Sequence, residues 1–208
     1  MQKSRGNLKI LDARSMTRSK FHIEDSKILV ASVQNLFAFY ANKTLFKSSL
    51  VSRKSKLKLY WSVIRPIAVY GCETWVLKES IIRRLSVFER KILRKIFGPT
   101  EEDNGIWRIK TNKEVDKLIN HWNTTNYVKA QRLSWFGHIN RKIETSIVRQ
   151  IYKWKPSTSR PVGRLKSRWE DDVRNDLKKI KLIKWAEQVQ VRLKWNDTVE
   201  KAKTVPEL

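Results

Sequence analysis

The stretch ESIIRRLSVFERKILRKIF, residues 79–97, decides the fold class of this chain. At about 100° per residue, its apolar side chains from Ile81 to Ile96 fall on one broad face of a helix. The next two residues, Gly98 and Pro99, are a typical helix stop. The opposite face of this predicted amphipathic helix carries six cations: Arg83, Arg84, Arg90, Lys91, Arg94 and Lys95.

The basic face of this helix has two interpretations. Most such faces are simply solvated, but six positive charges with no acid among them favour contact with phosphates. The whole chain of 208 residues has the same bias, since 45 Lys and Arg outnumber 20 Asp and Glu to give a net charge of +25. This balance favours polyanions, so the sequence predicts RNA, DNA or both as partners.

Helical spacing of apolar residues extends from this stretch toward the N-terminus. It runs through residues 28–40 and resumes after Ser52, which we expect to be an N-cap. Pro66 lies inside the second pattern and lacks the N–H that would bond to the Ser62 carbonyl, so we expect a kink or a stop there. Residues 1–22 are basic and show no period, which predicts an irregular N-terminus.

On the C-terminal side the pattern alternates between loops and helices. Residues 100–110 predict a loop with a short extended piece at 106–109. Thr111 and Glu114 match a capping box, which predicts a short helix that runs through Ile119. A further helix is expected near residues 125–140, and two terminal helices in residues 169–208 are expected to form an antiparallel hairpin.

Between these helices, residues 149–168 predict an exposed basic loop. Pro156, Pro161 and Gly163 argue against a regular element, and no acidic residue lies between Glu144 and Glu170. A simple linker is the alternative, but flexible basic segments commonly become ordered on nucleic acid. The cations of this stretch are Arg149, Lys153, Lys155, Arg160, Arg164, Lys166 and Arg168.

Together these patterns predict an all-α fold, with a helical bundle joined through a basic loop to a C-terminal helical hairpin. The chain is long enough for one large domain or two small ones. The predicted regions are an irregular basic N-terminus at 1–22, a helical region at 23–99, a linker with helices at 100–148, the basic loop at 149–168 and the hairpin at 169–208.

Composition excludes several classes of protein. Cys72 is the single cysteine, so no internal disulfide framework or zinc knuckle is expected, and its predicted role is that of a small, half-buried hydrophobe. No apolar stretch approaches the roughly 18 residues needed to span a bilayer, and the N-terminus shows no secretory pattern. We therefore expect an intracellular protein, nuclear or cytoplasmic, with no membrane partner.

The sequence shows no catalytic centre. Glu170, Asp171 and Asp172 are the one tempting carboxylate cluster, but they open a predicted helix, where the helix dipole favours acidic residues. The histidines are scattered without metal-ligand spacing, and no glycine-rich phosphate loop is present. We therefore predict no catalytic residue, no metal site and no cofactor in this chain.

The tryptophans divide into two groups. Trp107 and Trp154 lie beside charges in irregular segments, where an indole can stack on an unpaired base. The others that we weighed lie on apolar stripes and are predicted to be core: Trp61, Trp135, Trp169, Trp185 and Trp195.

Four motifs in a fixed order connect the chain to a known family. They are IRPI with YGCETW at residues 64–75, FERKILRKIFGP at 88–99, QRLSWFGH at 131–138 and GRLKSRWEDDV at 163–173. Each motif alone is weak, but the set resembles the C-terminal region of endonuclease–reverse transcriptase proteins encoded by non-LTR, LINE-like retrotransposons of animals. The resemblance runs from about residue 27 to about residue 204.

The resemblance implies a place within a larger enzyme. In that family this stretch follows the polymerase palm as thumb and C-terminal extension, and thumb helices hold the template–primer duplex. The palm with its paired Asp and the endonuclease domain precede it, so both would be partners of this chain in a full-length parent. Region 23–99 would then be thumb-like.

Three hypotheses about function follow. The first is a binding module that grips nucleic acid through its basic faces, without strong sequence preference and with steep salt dependence. The second is one segment of an RNA-directed DNA polymerase that is active only when joined to its upstream palm. The third is a non-functional transposon remnant whose positive charge is inherited and unused.

Overall fold

The computed structural model describes residues 39–120, 122–154, 168–182 and 184–204. The all-α prediction is confirmed, and within these ranges the β-structure amounts to one pair of two-residue strands. The chain divides into two compact units between Tyr70 and Gly71, which is inside the region predicted to be thumb-like.

The helices are α1 Lys43–Lys47, α2 Arg53–Leu59, α3 Arg65–Ala68, α4 Glu79–Phe97, α5 Asn112–Leu118, α6 Thr124–Asn140, α7 Ile147–Lys153, α8 Trp169–Lys179, α9 Trp185–Gln190 and α10 Arg192–Ala202.

In the first unit, α2 begins where the sequence predicted. The Ser52 side chain accepts a hydrogen bond from the Ser55 N–H (3.1 Å), so Ser52 is the N-cap. The expected interruption at Pro66 takes the form of a π-turn over Tyr60–Ile64, after which α3 continues through the proline and ends at Ala68. In a π-turn each carbonyl is paired with the N–H five residues later and not four. The Ser62 carbonyl therefore does not depend on the N–H that Pro66 lacks.

In the second unit, α4 has the bounds that its sequence pattern predicts. It ends at Gly98, whose φ of 73° is easily reached only by glycine. The following residues form a small antiparallel hairpin, in which β1 Thr100–Glu101 pairs with β2 Trp107–Arg108. The predicted extended piece is therefore one strand of this hairpin.

The central helix of the second unit is α6. The Asn123 side chain caps it by accepting from the Asn126 N–H (2.8 Å). It packs against α4, α7, α8, α9 and α10 and against the short 3₁₀ turn Cys72–Thr74. The buried apolar core on α6 and its C-terminal neighbours consists of Ala130, Leu133, Phe136, Val173, Leu177, Val189, Trp195, Val199 and Ala202.

Part of the predicted basic loop is helical, which corrects the sequence analysis. Helix α7 covers Ile147–Lys153, because the first helix breaker of the stretch, Pro156, comes only after it. Arg149 also anchors α7 to the end of α6, since its guanidinium donates to the carbonyls of Asn140 and Lys142. Residues 155–167 of the predicted loop lie outside the described residues.

The C-terminal region has three helices instead of the predicted two. The second predicted helix is broken at Val191, where φ is −92° and ψ is 102°. The Val191 carbonyl accepts the Trp195 N–H (3.0 Å) and so starts α10. Both α9 and α10 pack against α6, and the break allows Val189 and Trp195 to be buried together.

Among the described helices, none is both long and apolar enough to cross a membrane.

Candidate nucleic-acid interface

Helix α4 carries the candidate interface on its solvent side. Its apolar side chains are buried as predicted, among them Ile81, Leu85, Ile92, Leu93 and Ile96. The opposite face exposes four of the six predicted cations, with the short aliphatic side chain of Val87 among them. The exposed cations are Arg83, Arg84, Lys91 and Lys95.

Arg90 and Arg94 are less exposed than the other four cations. They lie half-buried at the edge of the face, where α5 packs against α4. The Arg90 guanidinium pairs with Asp116 (3.5 Å), and that of Arg94 donates to the Lys110 carbonyl (3.0 Å) and the Asn112 side chain (2.6 Å). These two arginines therefore connect α4 to α5 and to the segment just before it, as well as contributing positive charge.

The buried side of α4 contains an acid that helps to hold α6. Glu89 is 3% exposed, and its carboxylate accepts from both the backbone N–H (2.8 Å) and the hydroxyl (2.7 Å) of Thr124. Thr124 is the first residue of α6, where a negative charge is favoured by the helix dipole. The hydrogen bonds between Glu89 and Thr124 therefore help to fix the orientation of α4 against α6, and with it the direction of the basic face.

Two of the described cations of the predicted basic loop share an acidic partner that precedes the loop. Glu144 pairs with Arg149 (2.8 Å) and also with Lys153. The hydrogen bond from Lys153, with help from Arg149, lowers the pKa of Glu144. Arg168 is exposed just before α8. The remaining predicted contacts lie outside the described residues: Lys155, Arg160, Arg164 and Lys166.

Both tryptophans predicted to stack on bases lie at the surface. Trp154 follows α7 and is 71% exposed, and Trp107 lies in β2 and is 61% exposed. Their accessibility is compatible with stacking, which stays a prediction.

The predicted core tryptophans have different environments. Trp195 is fully buried, and Trp169 and Trp185 are partly buried against the same core. The prediction for Trp135 is wrong, because this residue is 36% exposed and its ring stacks on His138 with centroids 5.2 Å apart. Helix α6 is covered on most sides, and Trp135 lies on the remaining solvent side.

The acidic residues that open α8 have a structural role. They occupy the first helical turn, as predicted. The Asp172 carboxylate also accepts from the backbone N–H of Leu77 (3.0 Å) and pairs with Arg132 (3.4 Å). Among the described residues there is no cluster of three His, Cys, Asp or Glu side chains able to hold a metal ion.

Around Asp172 lies a network of buried charges that joins α6 to α8. Arg132, only 1% exposed, also pairs with Asp176 (3.3 Å), which in turn pairs with the buried Lys129 (3.4 Å). Burial lowers the pKa of Lys129 and raises that of Asp176, in opposition to their mutual attraction. Removing one member of such a buried network typically costs about 3–5 kcal/mol, because it leaves a buried charge without its partner.

Cys72 is a buried free thiol. Its side chain is buried, and burial raises the pKa of the thiol to about 12. The thiolate, which is the reactive form, is therefore negligible at neutral pH. This agrees with the predicted role as a small hydrophobe, although Cys72 is more completely buried than the sequence suggested.

One comparison with known proteins bears on origin. A curated Caenorhabditis elegans protein described as transposon-derived is 24% identical over 133 residues, which are 62% of this chain and 46% of that protein. The chain thus matches about half the length of this relative, and the similarity supports a transposon origin. No family model matches the chain. No solved structure matches it either.

Proposed function

We propose that this chain is a nucleic-acid-binding, C-terminal part of a retrotransposon reverse transcriptase, and that the exposed face of α4 grips the sugar–phosphate backbone. The observation that carries the proposal is the position of Arg83, Arg84, Lys91 and Lys95 on one solvent face of one helix. From Arg83 to Lys95 the helix rises about 18 Å. This is about the length of five phosphates along one strand of a duplex.

The four sequence motifs support the reverse transcriptase part of the proposal, and the transposon-derived relative supports the transposon origin. Under this proposal, the chain holds nucleic acid and the chemistry belongs to a palm domain. The partner is RNA, DNA or a hybrid of the two. Contacts to the backbone carry no base information, so binding is expected to be insensitive to sequence.

The test is removal of the four exposed charges of α4 by substitution with Gln. Arg90 and Arg94 are kept, because their bonds to α5 make them poor probes of an external contact. The logarithm of the affinity falls linearly with the logarithm of the salt concentration, and on duplex DNA each phosphate contact contributes about 0.9 to the magnitude of this salt slope. The variant should therefore lose about 3–4 units of slope. At low salt its affinity should fall at least about tenfold. A mobility-shift titration over several salt concentrations measures both quantities.

A matched control removes the same number of charges elsewhere in the second unit. If the α4 face is the binding surface, the control should keep most of the affinity and slope. Equal effects in the two variants would show that only net charge matters and would refute the proposed surface. The control carries Gln at four exposed lysines: Lys113, Lys178, Lys194 and Lys201.

A further inference from the structure

The solvent side of α6 is the second unusual surface of the unit. The helix has no acidic residue between Thr124 and Asn140, and on this side it exposes the large aromatic side chain of Trp135. Ser134 and His138 are exposed on this side together with Trp135. The surface is separate from the basic side of α4, since α4 packs against α6 through its apolar side.

A pair of stacked rings forms the centre of this surface. The Trp135 and His138 rings have an interplanar angle of 18° and a centroid distance of 5.2 Å. Because His138 is exposed and terminates the stack, a third flat ring can extend it from the solvent. Nucleobases stack on His and Trp rings, and such contacts depend little on the identity of the base.

Two arginines that interact with each other lie beyond the C-terminal end of this surface's helix: Arg141, the C-cap of α6, and Arg192. Arg141 follows His138 by about one helical turn, and its guanidinium donates to the Val189 carbonyl (3.1 Å). Arg192 begins α10 three residues after Val189. Burial, and then the charge of Arg192, lower the pKa of Arg141, so the two cations repel each other. Within the described residues neither arginine forms an ion pair, and an anion between them would relieve this repulsion.

We propose that this surface binds one unpaired nucleotide, whose base stacks on the His138–Trp135 pair and whose phosphate lies between Arg141 and Arg192. Side chains three positions apart on a helix are neighbours, about 5–6 Å apart at Cβ, so one nucleotide can contact both His138 and Arg141. In a duplex both faces of each base are already covered, so the ring pair selects single strands. This inference rests on the proposed function and adds a single-strand site to it.

The test compares single-stranded with duplex ligands in fluorescence anisotropy. His138→Ala should weaken binding of a short oligothymidylate about tenfold and leave binding of a duplex of the same length within about twofold. His138→Phe, which keeps a flat ring, should restore the single-strand affinity. Arg192→Gln should lower the salt slope for the single strand by about 0.7, the value of one phosphate contact.

Lys194→Gln is the matched control for Arg192→Gln, since it removes an exposed cation from the same helix, α10. It should bind the oligothymidylate like the wild-type chain, apart from the small effect of net charge. If His138→Ala also matches the wild type, or if it weakens duplex and single strand equally, the inference is overturned while the α4 proposal stands. If the wild-type chain binds neither ligand, both proposals are overturned.

Discussion

At the scale of single residues, packing explains the glycine at position 137 in the motif QRLSWFGH. Gly137 lies in α6 directly under the indole of Trp195, and a methyl group built on it would overlap the indole ring. The Trp195 Nε1–H donates to the carbonyl of Leu133 (3.0 Å), one turn earlier on α6. The glycine therefore lets the largest fully buried side chain of the unit lie against the backbone of α6.

Gly137→Ala should destabilise the second unit although alanine is the better helix former. The added methyl overpacks the site, which typically costs 1–3 kcal/mol. Displacing Trp195 also breaks its buried hydrogen bond, so we expect a total loss of about 3 kcal/mol in the free energy of unfolding. Urea unfolding followed by circular dichroism measures this loss.

Ser134→Ala is the control for this substitution, because it adds no atom and changes an exposed position on the same helix. It should leave the free energy of unfolding within about 0.5 kcal/mol of the wild-type value. A Gly137→Ala variant as stable as this control would mean that Trp195 does not need the close approach.

At the scale of elements, Arg108 joins the hairpin to α5. From strand β2 its guanidinium donates to Glu102 (2.6 Å) and to both carboxylate oxygens of Glu114 (2.6 and 3.0 Å). Glu114 also accepts from the backbone N–H of Thr111 (2.7 Å) and so completes the capping box at the start of α5. The Glu114 carboxylate thus caps the start of α5 and also forms the ion pair with Arg108 of the hairpin.

This arrangement predicts an acid-dependent loss of stability. The hydrogen bonds from Arg108, and then from Thr111, lower the pKa of Glu114 to about 2. In the unfolded chain the same carboxyl titrates near its ordinary value of about 4.3. The folded state therefore binds the proton less readily, so the stabilisation is present above about pH 4.3 and is lost as the pH falls toward 2.

The measurement is the difference in Tm between the wild-type chain and Glu114→Gln at several pH values. We expect the difference to be largest near pH 6 and to shrink steadily below pH 4. Glu102→Gln is the control, since it keeps the Arg108–Glu114 pair. A difference between wild type and Glu114→Gln that is constant with pH would contradict the assigned role.

At the scale of the whole molecule, the second unit has a core built from distant parts of the chain. Helices α8, α9 and α10 supply the side chains that cover α6, including Val173, Val189 and Trp195. The network of Lys129, Arg132 and Asp176 crosses the same boundary. The unit Gly71–Leu208 is compact and has this core within itself.

We therefore expect residues 71–208 to fold without residues 1–70. The fragment should show a cooperative thermal transition in far-ultraviolet circular dichroism, together with a near-ultraviolet signal from its packed tryptophans. A fragment of residues 71–154, which lacks the three helices that cover α6, should show neither. Gradual melting of the longer fragment would mean that its core depends on the first unit.

The sequence alone determined the local features of this protein. Helix α4 has its predicted bounds, and the Ser52 cap and the Thr111–Glu114 capping box are where the pattern placed them. These features depend on residues close together in the chain, whose spacing and chemistry are visible in the sequence. The all-α class and the absence of a predicted catalytic motif follow from the same local evidence.

Only the tertiary structure decided how the charged and aromatic side chains are used. It assigned Arg90 and Arg94 to bonds with α5, buried Arg132 against α8, and left Trp135 beside His138 at the surface. The period of apolar or charged residues shows which face of a helix is covered or exposed, but the residues that contact that face lie 16 to 95 positions away in the chain. The site proposed on α6 was invisible in the sequence for this reason, since it depends on which sides of that helix its neighbours leave open.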